Sequence, residues 1–369
     1  MSDAPHDGAH PPDDGRTDAL RYPCKQCGAK LTFKPGATRL ICDYCAYAED
    51  IPQSQDQVVE HAFEDYKPDT SDYGADLKRF KCNQCGSQTA VAAHVTSFKC
   101  AFCGSNQVEP QTGSSRLHRP ESLIPFVIAQ KQALERFRVW VKSLWFRPNA
   151  LKKQATPEDL HGVYLPFWTY DSFTHSWYEG ERGDHYYEEE SYLENGEWKT
   201  RRVRRTAWTH VSGQHQQVFD DVPIPGSPSA SPKLIREVEN WDTKSLVNYS
   251  PDFLSGFCAE DYREDMLACW PRAKQRIDDV IYGECVRRVG GDEQRNVNVS
   301  TSYLSRTYKL CLFPLWIASY RYQGKPYTYV VNGQTGTVSG NAPLSWIKIT
   351  LFVVALLGAI AFFLRLRGH

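Results

Sequence analysis

Eight cysteines in two matching sets are the residues of this 369-residue chain best suited to do chemistry. CKQCGAKLTFKPGATRLICDYC runs from Cys24 to Cys45, and CNQCGSQTAVAAHVTSFKCAFC runs from Cys82 to Cys103. Both read C-x2-C-x14-C-x2-C, the second starting 58 positions after the first. A C-x-x-C turn offers two sulfurs to one ion, and a second such turn closes a tetrahedral thiolate shell of the kind Zn2+ takes in structural sites. Cys24, Cys27, Cys42 and Cys45 are therefore read as ligands of one zinc, and Cys82, Cys85, Cys100 and Cys103 as ligands of another. A redox dithiol or a different metal is the alternative. Four thiolates leave no position for water, so both sites are expected to be structural rather than catalytic.

The fourteen residues between the paired turns suffice for a short hairpin, in the first case KLTFK, Pro35-Gly36 and TRLIC. Units of this size cannot build a core, so the metal must supply most of their folding energy, on the order of 10–16 kcal/mol. Gly28, Gly86 and Gly104 follow the second cysteine of three turns, where a positive φ is often needed, and Ala46 stands at the fourth. The remaining cysteines, Cys258, Cys269, Cys285 and Cys311, have no paired spacing and are expected to be buried free thiols. The eleven histidines are dispersed without a two-ligand pattern and are read as structural or surface residues.

Two ribbons imply flanking elements that position them. Residues 1–20 hold five Asp against one Arg among Pro and Gly, and are expected to be disordered. Ribbon 1 spans 21–51. The segment 52–76 reads as an acidic, solvated linker, with seven acidic residues and one Lys from position 53 on. Ribbon 2 spans 77–109. An α+β domain rich in antiparallel strands, with two or more packing helices, is then predicted over 120–343. Within it SLIPFVI is strand-like, and AQKQALERFRVWVKSLWF places Ala133, Leu134, Phe137, Trp140, Val141, Leu144 and Trp145 at helical spacing. Thr156–Asp159 is a plausible helix start. Asn195-Gly196 marks a tight hairpin that sets Glu188, Glu189 and Glu190 opposite Arg201, Arg202, Arg204 and Arg205. A second helix is predicted from about 272 to 289, ended by Gly290-Gly291. Leu165-Pro166-Phe167-Trp168 and Phe313-Pro314-Leu315-Trp316 share a pattern that suggests two related β units. The strands leave a barrel and a sandwich both open.

From Ile349 to Leu364 run 16 residues without a charge, and Ser345 to Lys348 extend them to 20, the length that crosses a bilayer core of about 30 Å. Trp346 suits one interface, and Arg365 with Arg367 mark the other. A transmembrane helix is thus predicted over 345–364. No secretory signal opens the chain, and thiols at metal spacing imply a reducing compartment, so the expected topology is a C-terminal anchor with the head in the cytosol.

Taken together, YPCKQCGAKLTF…LICDYC, SLIPF, GVYLPFW, YSPDFLSGF with AEDY, and LFPLWIASYRYQGKPYTYVVNGQTGTVSG before the anchor resemble a family. It is that of bacterial tail-anchored zinc-ribbon membrane proteins encoded with PspA-like and SPFH/flotillin-like envelope-stress proteins. The resemblance covers the chain from about residue 21 on. It implies an inner-membrane adaptor that recruits protein partners. Of functional positions it carries over only the eight cysteines.

Net charge of −1 and a pI near 6.8 argue against a general affinity for polyanions. The alternative is nucleic-acid binding through the ribbons. Arg21, Lys25, Lys30, Lys34 and Arg39 in the first, and Lys78, Arg79, Lys81 and Lys99 in the second, give a mild positive bias flanked by acidic segments. No nucleotide-binding loop, dinucleotide fingerprint or nucleophile elbow is present, so no enzyme is expected.

Overall fold

The computed structural model describes residues 22–53, 57–68, 77–92, 100–103, 105, 107–111, 117–148, 160–229, 231–322 and 325–367. The acidic tail at 1–20 and the helix start at Thr156–Asp159 lie outside them. The fold is α+β, as expected. Ribbon 1 comprises β1 (Tyr22–Pro23), β2 (Lys30–Phe33), β3 (Arg39–Cys42) and β4 (Ala48–Asp50), which form a separate antiparallel sheet in that order. β5 (His61–Ala62) follows, then β6 (Leu77–Cys82), β7 (Gln88–Ala92) and β8 (Val108–Gln111) of ribbon 2. The main body contains β9 (Ser122–Leu123), α1 (Gln130–Ser143), β10 (Leu160–Glu194), β11 (Glu197–Pro225) and α2 (Pro232–Glu237). It continues with β12 (Val247–Asn248), β13 (Cys258–Glu260), α3 (Met266–Val289), β14 (Glu293–Tyr322), β15 (Lys325–Asn332) and β16 (Val338–Gly340). The C-terminal helix is α4 (Trp346–Arg367).

Among the described residues the strands form neither a barrel nor a sandwich. One large sheet is built on three long strands, with β10 between β14 and β11. Its 35 residues amount to about 110 Å of strand. The proximal third is nearly all apolar and buried, from Val163 to Tyr170, because layers cover both of its faces. The two four-residue echoes lie side by side here, Leu165 opposite Phe313 and Phe167 stacked on Phe313 at 4.6 Å. Beyond Glu293 the sheet narrows to the β10–β11 hairpin, closed by Asn195 and Gly196 at φ of 57° and 85°. There the opposed charges pair within the hairpin, Arg201 with Glu190 at 3.0 Å and Arg205 with Glu188 at 3.3 Å. The edges of a long sheet are thereby kept polar.

α1 buries Ala133, Leu134, Phe137 and Val141, as its spacing predicts, and Phe137 stacks on Tyr329 at 3.5 Å. Trp145, predicted on the same face, falls after the helix ends and is 73% exposed. α3 starts six residues earlier than predicted, at Met266. The Asp265 carboxylate accepts from the Ala268 amide and caps the helix, which then runs through Pro271. Cys269, Ala273, Ile277, Ile281 and Cys285 form its buried stripe, seated on Phe219 of β11 and on β10. Gly290 ends the helix at φ 72°.

The acidic stretch between the ribbons, read as solvated, is docked where it is described. β5 pairs with Thr307 and Tyr308 of β14. Glu60 accepts from Lys309 at 2.8 Å, Glu64 pairs with Arg306, and Phe63 packs edge-on against Trp270. The counter-charges come from β14, far along the chain, so the local run of acids looks unpaired in the sequence.

Candidate metal centres

The C-x-x-C turns are held by repeated backbone bonds. In ribbon 1 the Cys24 amide donates to the Ala29 carbonyl and the Gly28 amide to the Cys24 carbonyl, at 2.6 and 2.8 Å. The second turn repeats this, with Cys42 donating to Tyr47 and Ala46 to Cys42. Closing such a turn requires left-handed backbone after the second cysteine. Gly28 and Gly86 adopt it at φ of 74° and 75°, and Ala46 adopts it at 59° despite its Cβ. The predicted hairpin is present as β2 and β3, with Gly36 at φ 81° in the turn.

These turns bring the sulfurs together. All four thiols of each set converge with every pair of sulfurs within 4.8 Å. Cys24–Cys45 and Cys27–Cys42 are 3.5 Å apart, Cys82–Cys103 is 3.5 Å and Cys85–Cys100 is 3.6 Å. Four sulfurs tetrahedrally disposed at about 2.3 Å from one ion would stand about 3.8 Å apart, so the donor set fits a thiolate-bound metal with a slight opening. Both clusters can therefore hold a metal ion. In each cluster two sulfurs are buried (Cys24 and Cys42, Cys82 and Cys100) and two lie nearer solvent.

The thiols also share protons unevenly. The hydrogen bond with Cys100 pushes Cys85 down to about 4, and the same bond, with burial, pushes Cys100 well up. Ser87 hydroxyl contacts reach both sulfurs, at 3.4 and 3.2 Å.

The four scattered cysteines are all buried, as expected, and burial pushes Cys269 up to about 11 and Cys311 up to about 12. Not every histidine stays dispersed. His61 of β5, His118 and Glu121 converge, with the Nε2 atoms of the two rings 2.9 and 2.7 Å from Glu121 Oε1. No spacing in the chain points to this trio, because a shared edge of β14 assembles it.

α4 includes an 18-residue stretch, Trp346–Phe363, of mean hydropathy 2.3 that is not buried by the rest of the fold. It is long and apolar enough to cross a membrane. Its first two turns are fastened to the body: Lys348 Nζ donates to the Trp145 and Arg147 carbonyls at 3.2 and 2.9 Å, and Phe352 meets Phe146 edge-on.

No family model matches the chain, and no solved structure matches it. Among curated proteins it is similar to the "uncharacterized protein YdjG" of Bacillus subtilis (strain 168), with 25% identity over 358 residues. The match covers 94% of this chain and 97% of that one, so the similarity runs nearly from end to end of both.

Proposed function

We propose that this chain is a membrane-anchored adaptor that carries Zn2+ in both four-thiolate clusters and recruits protein partners to a bacterial inner membrane. The observation that carries the reading is the union, in one body, of two closed thiolate clusters with an exposed apolar helix. Closed clusters build surfaces rather than reaction centres, and an apolar helix of this length restricts the body to a bilayer.

A cytosolic body is supported by the two four-cysteine clusters, since thiols held at metal spacing suit a reducing compartment. Charge does not orient the helix, with Lys348 before the apolar stretch and Arg365 and Arg367 after it. Trp145 and Trp346, 73% and 74% exposed near the base of α4, suit the interface on that side.

Protein partners are favoured over nucleic acid because several ribbon cations are already engaged. Lys25 pairs with Glu49, Arg39 with Asp50, and Arg79 is buried against Asp261. Affinity for phosphates scales with the cations left to meet them. By resemblance, the partners are expected among PspA-like and SPFH/flotillin-like proteins.

The test is affinity capture of the full-length chain from detergent-solubilised membranes, with and without nuclease. It is run beside a variant carrying Cys24→Ser, Cys27→Ser, Cys82→Ser and Cys85→Ser. Protein partners that survive nuclease and disappear with the cysteines are the expected result. Partners lost on nuclease treatment would instead make the chain a membrane tether for nucleic acid.

A further inference from the structure

We infer that His61, His118 and Glu121 form a third metal site, chemically unlike the other two, that clips the segment between the ribbons to the central sheet. The three ligand atoms lie within 4.8 Å of one another. Both imidazole Nε2 atoms face the same carboxylate oxygen, at 2.9 Å from His61 and 2.7 Å from His118. Around a tetrahedral ion with ligand bonds of about 2.0–2.1 Å, such atoms stand about 3.3 Å apart. An opening of about half an ångström therefore admits the ion, about twice what the thiol clusters need.

The site is built rather than incidental. Glu121 is held on three sides: its amide donates to the Leu310 carbonyl and its Oε2 accepts from the Leu310 amide of β14 at 2.7 Å, while its carbonyl accepts from the Tyr249 amide just after β12. A carboxylate held through one oxygen keeps the other directed at the ion, which is how outer-shell bonds orient metal ligands. The His118 amide donates to the Tyr262 hydroxyl at 3.0 Å, and its ring packs against Trp168 and Tyr308. His61 arrives from the opposite direction on β5, which takes the same edge of β14 four residues before β9 does. His118 and Glu121 are 14% and 11% exposed, and His61 is 37% exposed, so two ligands are rigid and the third closes over them.

Two imidazoles and a carboxylate suit a divalent first-row transition ion, Zn2+ in the first instance, rather than Ca2+ or Mg2+. Three protein ligands leave a fourth position for water, unlike the closed thiolate sites. The geometry also gives the ion a purpose. His61 precedes ribbon 2 and His118 follows it, so a bond between them closes the base of that ribbon. Val59 and Ala62 are exposed, and the segment otherwise docks through Phe63 on Trp270 and the Glu60–Lys309 and Glu64–Arg306 pairs, to which the ion adds a bond that spans ribbon 2.

The experiment is a metal count on the full-length chain in detergent, repleted with Zn2+ and desalted, measured by mass spectrometry of the metal. Three ions per chain are expected. His61→Ala and His118→Ala should each hold two, while after cobalt substitution the near-ultraviolet thiolate band stays at the wild-type intensity. That band reports that the ribbons remain folded. His61→Ala, on the more exposed segment, keeps the test decisive if His118→Ala fails to fold. Hydrogen exchange at 57–66 should rise at least 10-fold in His61→Ala and on mild chelation that spares the thiolate sites. A wild-type chain with two ions, or a count unchanged by His61→Ala, would overturn the inference and leave a His–Glu–His hydrogen-bonded cluster.

Discussion

Ribbon 1 keeps its four strands in a sheet of its own and meets the body mainly through apolar side chains, whereas ribbon 2 contributes its strands to the common sheet. Phe33 of ribbon 1, 3% exposed, sits between Phe253 at 5.2 Å and Phe257 at 6.1 Å, and Leu31, Leu40 and Ile51 join the same core. Polar bonds that pin it include the Phe33 amide to the Ser255 carbonyl, the Gly36 amide to the Phe126 carbonyl and the Ser255 hydroxyl to the Leu31 carbonyl. Ribbon 2 pairs β7 with β13, opposing Ala90 to Ala259 and Thr89 to Glu260. It also buries the Arg79–Asp261 ion pair at 2.7 Å. One attachment is apolar and the other is a continuous sheet edge with buried charge. The cysteine spacing thus governs the inside of each ribbon and leaves its mounting to the residues between and beyond.

The largest effects should come from the metals themselves. Cys24→Ser with Cys27→Ser is expected to unfold ribbon 1, removing stabilisation on the order of 10–16 kcal/mol, while most of the central sheet keeps its hydrogen-exchange protection. Cys82→Ser with Cys85→Ser should cost as much locally and also strip protection from β13, to which β7 is paired. Equal patterns of exchange in the two variants would break the contrast.

Next come the mountings. Phe33→Ala should destabilise the docking of ribbon 1 by about 3–5 kcal/mol, seen as a fall in its unfolding midpoint with both metals retained. Arg79→Met should cost ribbon 2 about 3–5 kcal/mol by leaving Asp261 buried without its partner, and Asp261→Leu added to it should recover most of the loss. A cost in Arg79→Met that the second substitution fails to relieve would show that packing, not charge, mounts ribbon 2.

A pH-dependent effect, smaller per unit of pH, comes next. Burial pushes Glu260 up to about 8 from its ordinary 4.5, and its carboxylate accepts from Ser227 at 2.7 Å. Between those values the unfolded chain has released a proton that the folded chain keeps. Stability should therefore fall as pH rises from about 4.5 to about 8, by up to about 1.4 kcal/mol per unit. Glu260→Gln should flatten that slope in denaturant titrations and be the more stable protein at pH 8. The least effect is expected at Ala46. Ala46→Gly should stabilise ribbon 1 by about 0.5–1 kcal/mol, because only its left-handed φ is relieved, and the matching change has no counterpart at Gly86.

What could be read from the chain divides by range. Residues that act on near neighbours were legible: the cysteine turns, the Asn195-Gly196 hairpin, the α1 stripe and the apolar run of α4. What depended on distant partners was not. β5 docks because Lys309 and Arg306 neutralise Glu60 and Glu64, and His61 finds Glu121 because both lie along β14. The extreme length of β10 was hidden for the opposite reason: its outer half is largely exposed, with Trp177, Tyr186, Tyr187 and Leu193 set among charges, so it lacks the burial pattern of a packed strand. Pro271 concealed the true start of α3, which the Asp265 cap supplies.

The most direct test of the account is a cobalt titration of the full-length chain after the bound metal is removed, following the near-ultraviolet thiolate-to-cobalt band. Two thiolate-bound ions per chain are predicted, with the band halved by the Cys24→Ser and Cys27→Ser pair, halved by the Cys82→Ser and Cys85→Ser pair, and abolished by both. A band that saturates at one ion, or that survives the loss of both pairs, would contradict the claim that each ribbon is a closed metal site.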